Sequence, residues 1–223
     1  MIKKRYAFLF LFFLTCFAAF GQKKLSLSAT VAPAFTNISY NNRYFYPESD
    51  GQIVEPVYLN GKKWATGFIT GLTVQYTYAP GWSVATGVWY VQQTIRQPRL
   101  AAAGEGTMSI RNRALRVPIL LNYRSSTERL SPYFTIGLAI DFPFVTRVIA
   151  DRSGEPTQNL RLGTARSPLF QPVFGAGAQY QLTPRYQLML QPIWTYNLGR
   201  FSSTDSRNPS NELSLLAQIT YSF

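Results

Sequence analysis

Histidine is missing from all 223 residues, and cysteine occurs once, at Cys16. Without imidazole, neither a Ser-His nucleophile nor a His-metal device can be assembled. Cys16 lies in an N-terminal export segment, so disulfides, thiolate metal sites and thiol catalysis drop out of the mature chain. Phosphate-cradling glycine loops are lacking too: Gly104-Glu105-Gly106 is an isolated loop tip and no Walker-type sequence occurs. Beyond the first 21 residues no apolar run approaches the roughly 20 residues of a membrane helix, and apolar residues seldom recur at helical three-four spacing. Acids number only ten against 22 lysines and arginines. No catalytic group, metal site or cofactor is therefore expected.

What is present begins with an address. Lys3, Lys4 and Arg5 precede the greasy stretch Tyr6 to Phe20, which closes on Ala19-Phe20-Gly21 before Gln22. A charged head, a short apolar middle and a small-residue cut site describe a secretion signal over residues 1–21. An uncleaved anchor and a lipoprotein signal through Cys16 are the alternatives. The signal carries three basic residues and no acid, leaving residues 22–223 with 19 basic and ten acidic side chains, a net charge of +9. In an exported protein that charge meets anionic lipid headgroups rather than nucleic acid.

Eight stretches of period-two alternation follow: Lys24–Thr36, Ala65–Tyr78, Trp82–Ile95, Asn112–Arg124, Pro132–Phe144, Leu169–Leu182, Arg185–Asn197 and Asn211–Phe223. In the last, Leu213, Leu215, Ala217, Ile219, Tyr221 and Phe223 share one face, against Ser214, Leu216, Gln218, Thr220 and Ser222. Each stretch runs 13 or 14 residues, whereas soluble strands favour about five or six and a tilted membrane strand needs roughly nine to eleven in hydrocarbon. The connections alternate strictly. Ala79–Gly81, Ser125–Ser131 and Thr183-Pro184 are short, while Asn37–Trp64, Arg96–Arg111, Val145–Pro168 and Leu198–Ser210 are long. With both termini on one side, every short link falls there and every long one opposite, as in outer-membrane barrels. A soluble sandwich has no reason to sort its loops so.

Aromatics concentrate at two heights. Tyr76, Tyr78, Trp82, Tyr123, Tyr180, Tyr186, Tyr221 and Phe223 lie near the short-turn end, and Phe35, Trp64, Phe68, Tyr90, Phe142, Phe144, Phe170, Trp194 and Tyr196 toward the long-loop end. Amphipathic rings prefer the water–lipid boundary, so two girdles are expected. Pro33, Pro118, Pro143, Pro172 and Pro192 resist this reading, because proline removes a ladder donor. Bulges or strand ends are expected at them.

An eight-stranded barrel has an interior just wide enough for side chains to fill it. The inward parity selects Gln75, Trp89, Arg116, Tyr133, Asp141, Gln179, Gln191 and Gln218. Arg116 and Asp141, opposite in charge and on neighbouring strands, are expected to pair, since a lone buried charge is costly. Asp141 is the single acid assigned to the lumen. The long connections carry Arg96, Arg99, Arg111, Arg147, Arg152, Arg161 and Arg166, whose planar forks suit lipopolysaccharide phosphates. Tyr40, Tyr44, Phe45, Tyr46 and Tyr58 make the first long connection aromatic, fitting an adhesive face or a lid.

The order of these motifs resembles a known group. Phe20-Gly21-Gln22, Leu115-Arg116-Val117-Pro118-Ile119-Leu120-Leu121-Asn122-Tyr123, Pro132 through Leu138, Phe174-Gly175-Ala176-Gly177-Ala178-Gln179-Tyr180 and the final aromatic strand are similar to the PorT-like outer-membrane β-barrel proteins of Bacteroidota, distant kin of OmpA- and OmpX-type barrels. The resemblance implies an all-β, eight-stranded, antiparallel up-and-down barrel. It also implies that Tyr221 and Phe223 form the signal read by the barrel assembly machinery. It supplies no activity. The expected protein is a monomeric, non-catalytic barrel, termini in the periplasm and long loops outside. Its role would be structural or interactive, touching membrane lipids, lipopolysaccharide and an envelope protein partner. A narrow conduit for small or apolar solutes, an accessory of a secretion system and a soluble lipocalin-like carrier are the alternatives.

Overall fold

In the computed structural model, residues 25–48, 56–99, 106–152, 157–162, 168–197 and 209–223 are described. Residues 1–21, where a secretion signal is expected, lie outside them. Among the described residues ten strands run in order: β1 Leu25–Phe45, β2 Pro47–Glu48, β3 Val57–Ala79, β4 Trp82–Pro98, β5 Gly106–Arg124, β6 Leu130–Arg152, β7 Gln158–Leu162, β8 Leu169–Gln181, β9 Tyr186–Tyr196 and β10 Ser210–Ser222. Eight of them form a ring. Antiparallel neighbours follow the order β6-β5-β4-β3-β1-β10-β9-β8, and β8 returns to β6 through Leu130↔Tyr180 to Asp141↔Leu169. Closure leaves no free edge in the ring, the condition for placing strands in hydrocarbon.

The short turns explain themselves locally. Between β3 and β4, Pro80 presets its own φ and Gly81 takes φ 76°, the left-handed value required at the third position of a tight turn. After β8 the Thr183 hydroxyl accepts from the amides of Arg185 (3.3 Å) and Tyr186 (3.0 Å) and fixes the bend.

Polarity follows the pleat. Leu72, Val74, Leu115, Ile119, Ile136, Leu138, Leu190, Leu213, Leu215 and Ile219 stand exposed on the outer wall. Ser28, Thr30, Thr73, Asn122, Thr135, Gln179, Gln191, Gln218 and Thr220 are buried inside, among Trp89, Tyr133, Leu120, Met189 and Leu216. This is the reverse of a lipocalin-like carrier, and that alternative is set aside. Two aromatic levels bound the outer band. Trp82 lies 4.7 Å from Tyr123 and Tyr186 5.2 Å from Tyr221 at the short-turn end; Phe68 lies 6.0 Å and Phe144 6.3 Å from Tyr90 at the other. Phe68 and Tyr78 share the outer face of β3 ten positions apart. That spacing is about 25 Å along the barrel axis at ~3.3 Å per residue and a tilt of ~40°, the height of an outer-membrane apolar band.

Several strand limits need correction. Within 37–64, 96–111 and 145–168 the described residues continue as strands where open loops are expected. β1, β3, β4, β5 and β6 continue pairing well beyond the ring, through Phe45↔Val57, Pro98↔Thr107 and Gly106↔Arg152. β7 adds to the upper part of β6, and β2, one residue past β1, pairs with β7. The upper wall thus bends round on itself. Its inward face holds Ile38, Val57, Leu59, Ala65, Ile95, Met108, Ile110 and Val148, with Tyr40, Phe45 and Leu162 packed on them. Burying this cluster is what extends the strands past the bilayer. From the aromatic first connection Tyr40 and Phe45 join it, while the exposed Tyr44 ring lies tilted at 4.7 Å from Tyr58, whose hydroxyl donates to Asn42 Oδ1 at 2.9 Å. Asn42 itself takes φ 42° at the β1 register shift, a conformation asparagine tolerates better than most residues.

The prolines also depart from expectation. A bulge accounts for Pro143, since Ala114 pairs Pro143 while Arg113 pairs Val145, leaving Phe144 extra. Pro33, Pro118 and Pro192 sit centrally and unbulged. Each keeps one neighbour in register (Pro33↔Phe68, Pro118↔Ala139, Pro192↔Leu215), and the ladder to its other neighbour breaks there. A strand residue directs its N–H toward one neighbour only, so the loss is confined to one ladder.

One close approach is diagnostic. The Trp89 indole lies over Gly71 and donates to Thr73 Oγ1 at 2.9 Å; a Cβ on Gly71 would stand 2.3 Å from the Val88 carbonyl oxygen and 2.7 Å from Trp89 Cδ1. Gly71→Val should displace the indole and destabilise the barrel by about 1–3 kcal/mol, the usual cost of overpacking. The check is the midpoint of heat-modifiable gel migration, which should fall relative to the parent; an unchanged midpoint would contradict the packing.

Candidate functional site

The strongest chemistry in the described residues is a charged strut across the lumen. Arg116 points inward from β5 with Pro118, Leu120 and Asn122, and Asp141 stands directly opposite on β6. The guanidinium forks onto that carboxylate, Nε donating to Oδ1 at 2.6 Å and Nη2 to Oδ2 at 2.9 Å. Its far edge reaches Glu212 on β10, Nη1 donating to Oε1 at 2.6 Å and Nη2 to Oε2 at 3.2 Å. In the ring order β10 lies four strands from β5 in either direction. The contact therefore spans the barrel diameter.

Neighbouring amides complete the set. Gln171 Nε2 donates to Asp141 Oδ2 at 2.9 Å while its oxygen accepts from Arg116 Nη2 at 3.2 Å. Gln93 Nε2 donates to Glu212 Oε2 at 2.6 Å and to Thr36 Oγ1 at 2.7 Å. Arg116 is 2% exposed, Asp141 5% and Glu212 4%. Removing ions from water costs several kcal/mol each, and such a group persists only when its hydrogen bonds are met. One guanidinium thus serves two carboxyl groups. Below it the lumen is filled by further polar pairs, Thr135 with Asn122 (2.8 Å) and Gln191 (3.1 Å), Ser28 with Thr220 (2.8 Å), and Gln218 with Thr30 (2.6 Å). Gln179 donates to Gln187 in the same region.

Glu212 corrects the expectation of a single lumenal acid. Its parity with Ser214 and Gln218 on β10 was the available signal. Nothing local in the sequence shows that β5 and β10 face each other across the ring.

The arginines assigned to the connections divide. Arg111, Arg147 and Arg161 form one lateral row on the outer face, directly in register across β5, β6 and β7. Thr94 and Glu48 hold the register positions at its two ends. Like charges directly opposite repel, and the Arg111 Nε is buried with no partner among the described residues. Arg96 is exposed on β4, one rung away beside Ser109. Arg99 follows β4, its amide bonded to the Gly106 carbonyl at 3.2 Å. Arg152 pairs by backbone with Gly106, and Arg166 lies outside the described residues. At the other end Tyr221 and Phe223 meet edge to face at 5.1 Å, and the Phe223 amide bonds the Leu25 carbonyl at 3.2 Å. Among the described residues no group of three or more His, Cys, Asp or Glu could hold a metal ion.

Residues 20–159 match the outer membrane protein beta-barrel domain family. The chain belongs to that family. Solved structures similar to it include Neisserial surface protein A, 14% identical over 89% of this chain and 97% of that one with a TM-score of 0.46. OprG from Pseudomonas aeruginosa is 14% identical over 91% and 98%, with a TM-score of 0.44. The attachment invasion locus protein Ail of Yersinia pestis, in complex with the heparin analogue sucrose octasulfate, is 13% identical over 89% and 99%, with a TM-score of 0.41. No match was found among the curated proteins. As a member of the barrel-domain family, this chain is an outer-membrane protein whose band of exposed leucines, isoleucines and valines faces lipid.

Arg116→Met would leave Asp141 and Glu212 buried without a cation. The expected loss is about 3–5 kcal/mol, as for breaking a buried ion pair from one side, read by urea unfolding from lipid vesicles. Converting all three residues to apolar ones of similar volume should recover most of it. Unchanged unfolding of the Arg116→Met single variant would contradict the strut.

Proposed function

We propose that this barrel is a non-catalytic, monomeric structural and interaction element of the Gram-negative outer membrane, its termini periplasmic and its extended upper wall facing outward. The observation that carries this reading is the filled lumen inside an inverted-polarity ring. Strands that bury Gln191, Leu216, Trp89 and the Arg116 cluster leave side chains where a channel would hold water. Both lumenal carboxylates are committed to Arg116, so neither is offered as an acid or base. The motif series from Leu115 to Tyr123 and from Phe174 to Tyr180 supports kinship with the PorT-like branch in Bacteroidota. On that kinship the terminal Tyr221 and Phe223 address the barrel assembly machinery, and a role beside an envelope or secretion complex is the natural extension. Conduction of small solutes is the competing reading. In planar bilayers the purified barrel should give no discrete conductance steps; resolved channels would overturn the plugged assignment.

The outer arginine row is proposed as the contact with lipopolysaccharide. Arg111 lies four residues beyond Leu115, which pairs Tyr90 in the upper girdle. The row therefore stands about 10 Å above that girdle at ~3.3 Å per residue and a tilt of ~40°, among headgroup phosphates. An anion bridging three in-register guanidinium groups removes their mutual repulsion. Lipopolysaccharide added to phosphatidylcholine vesicles should raise the thermal midpoint of the parent protein. The variant with Arg111, Arg147 and Arg161 all changed to Gln should lose most of that rise. An equal rise in both would remove the row from the contact.

A further inference from the structure

Above the Arg116 strut, and below the curl of the upper wall, the barrel encloses a chamber of about 380 Å³. One side of its lining is an apolar patch of Ile38, Val57, Leu59, Ile110 and Val148, and Gln93, Asn112 and Thr146 add polar groups to the wall. Its floor carries Asp141 and Glu212. The chamber exists because the wall is uneven. β5 and β6 rise past the bilayer, whereas β8, β9 and β10 end at Leu169, Tyr196 and Ser210. The Phe144 bulge then lets β6 change partner from β8 to β7.

Two independent observations bear on what this space would hold. First, the Thr195 hydroxyl lines the chamber, is 2% exposed, and has no hydrogen-bond partner among the described residues. A buried hydroxyl left unpaired is costly, so a group in the chamber is needed to satisfy it. Second, the floor sets two carboxyl groups against a single guanidinium. Arg113 also borders the chamber, but its Nε donates to Gln92 Oε1 at 3.2 Å, and Gln92 in turn accepts from Tyr90 of the outer girdle at 3.2 Å. Its charge is thereby drawn to the outer face. An apolar vault over an acidic floor is complementary to one ligand class.

We propose that the chamber binds a small cationic amphiphile, an alkylammonium-type molecule with its charged head on Asp141 and Glu212 and its hydrocarbon tail among Ile38, Leu59 and Ile110. The volume matches the lower range of small-molecule sites, about 300–1,000 Å³. The head supplies the donor for Thr195 and a second cation for the two carboxyl groups of the floor. The strut and the packed residues beneath it fill the lumen on the short-turn side, so the chamber is a binding site rather than a stage of a conduit.

The test uses the whole barrel in lipid nanodiscs with isotope-labelled Ile and Thr methyls, titrated with n-hexylammonium, n-hexanol and n-hexanoate. Hexylammonium should shift the Ile38, Ile110 and Thr195 methyl signals saturably, binding about tenfold or more tightly than hexanol, the weight of a charge-assisted contact. Hexanoate should bind more weakly than either. Glu212→Gln should reduce the ammonium preference to near that of the alcohol. Ile110→Trp, which fills the vault and leaves the floor intact, should abolish binding of all three. Equal affinity for the ammonium and the alcohol, tighter binding of hexanoate, or perturbations confined to lipid-facing methyls would each overturn the assignment.

Discussion

A peptide group in hydrocarbon has no water to bond with, and each one left unpaired costs several kcal/mol. Everything in the lower half of this molecule answers to that demand. The ring closes through β6 and β8 because eight strands laid side by side would otherwise end on two bare edges. Prolines survive within it only where a single ladder is interrupted, as at Pro118 and Pro192. Once the outer wall is committed to Leu, Ile, Val and aromatic side chains, the polar residues of the same strands have one place to go. The lumen must then satisfy them from within, and serine, threonine and glutamine pairs do so layer by layer. Arg116 is the extreme case, a guanidinium whose partners come from the neighbouring strand and from the opposite side of the ring.

Above the bilayer the constraint relaxes, and a different one takes over. Water can satisfy an exposed strand edge there, so the wall need not be even, and the strands extend only where burial rewards them. Ile38, Val57, Leu59, Ile110 and Val148 provide that reward on the inner side. A single extra residue, Phe144, moves β6 from one partner to another and shifts which side chains face inward. From this unevenness come two surfaces with opposite character. The outer one carries in-register arginines, while the inner one is an apolar vault resting on acids. The separation is a consequence of the pleat: positions 111 and 110, or 147 and 148, are adjacent in the chain yet face opposite media.

Much of the membrane-embedded part was legible because its code is strictly local. Alternation along Asn211–Phe223 or Ala65–Tyr78 reports the two faces directly, and the inward residues it selected, from Gln75 to Gln218, do line the lumen. The pairing of Arg116 with Asp141 needed only two neighbouring strands joined by a short turn, whose length fixes the register. Glu212 was harder. Its inward parity is visible, but its partner lies 96 residues away in sequence. The upper storey carries no such local mark, because its strands mix inward apolar residues with outward arginines and glycines, and short polar interruptions such as Asn60-Gly61 look like turns.

The sequence by itself determined the strand count of the ring, the medium on each face and the aromatic limits of the apolar band. Each of these depends on side-chain period and chain length alone, which the backbone geometry of a single strand enforces. Only the tertiary structure decided which residues meet across the lumen, how high the wall stands, and where the arginines gather into one row. Those outcomes depend on ring closure and shear, which set the height of every strand against its neighbours. A one-residue bulge or a change of partner alters them without leaving a mark in the local pattern.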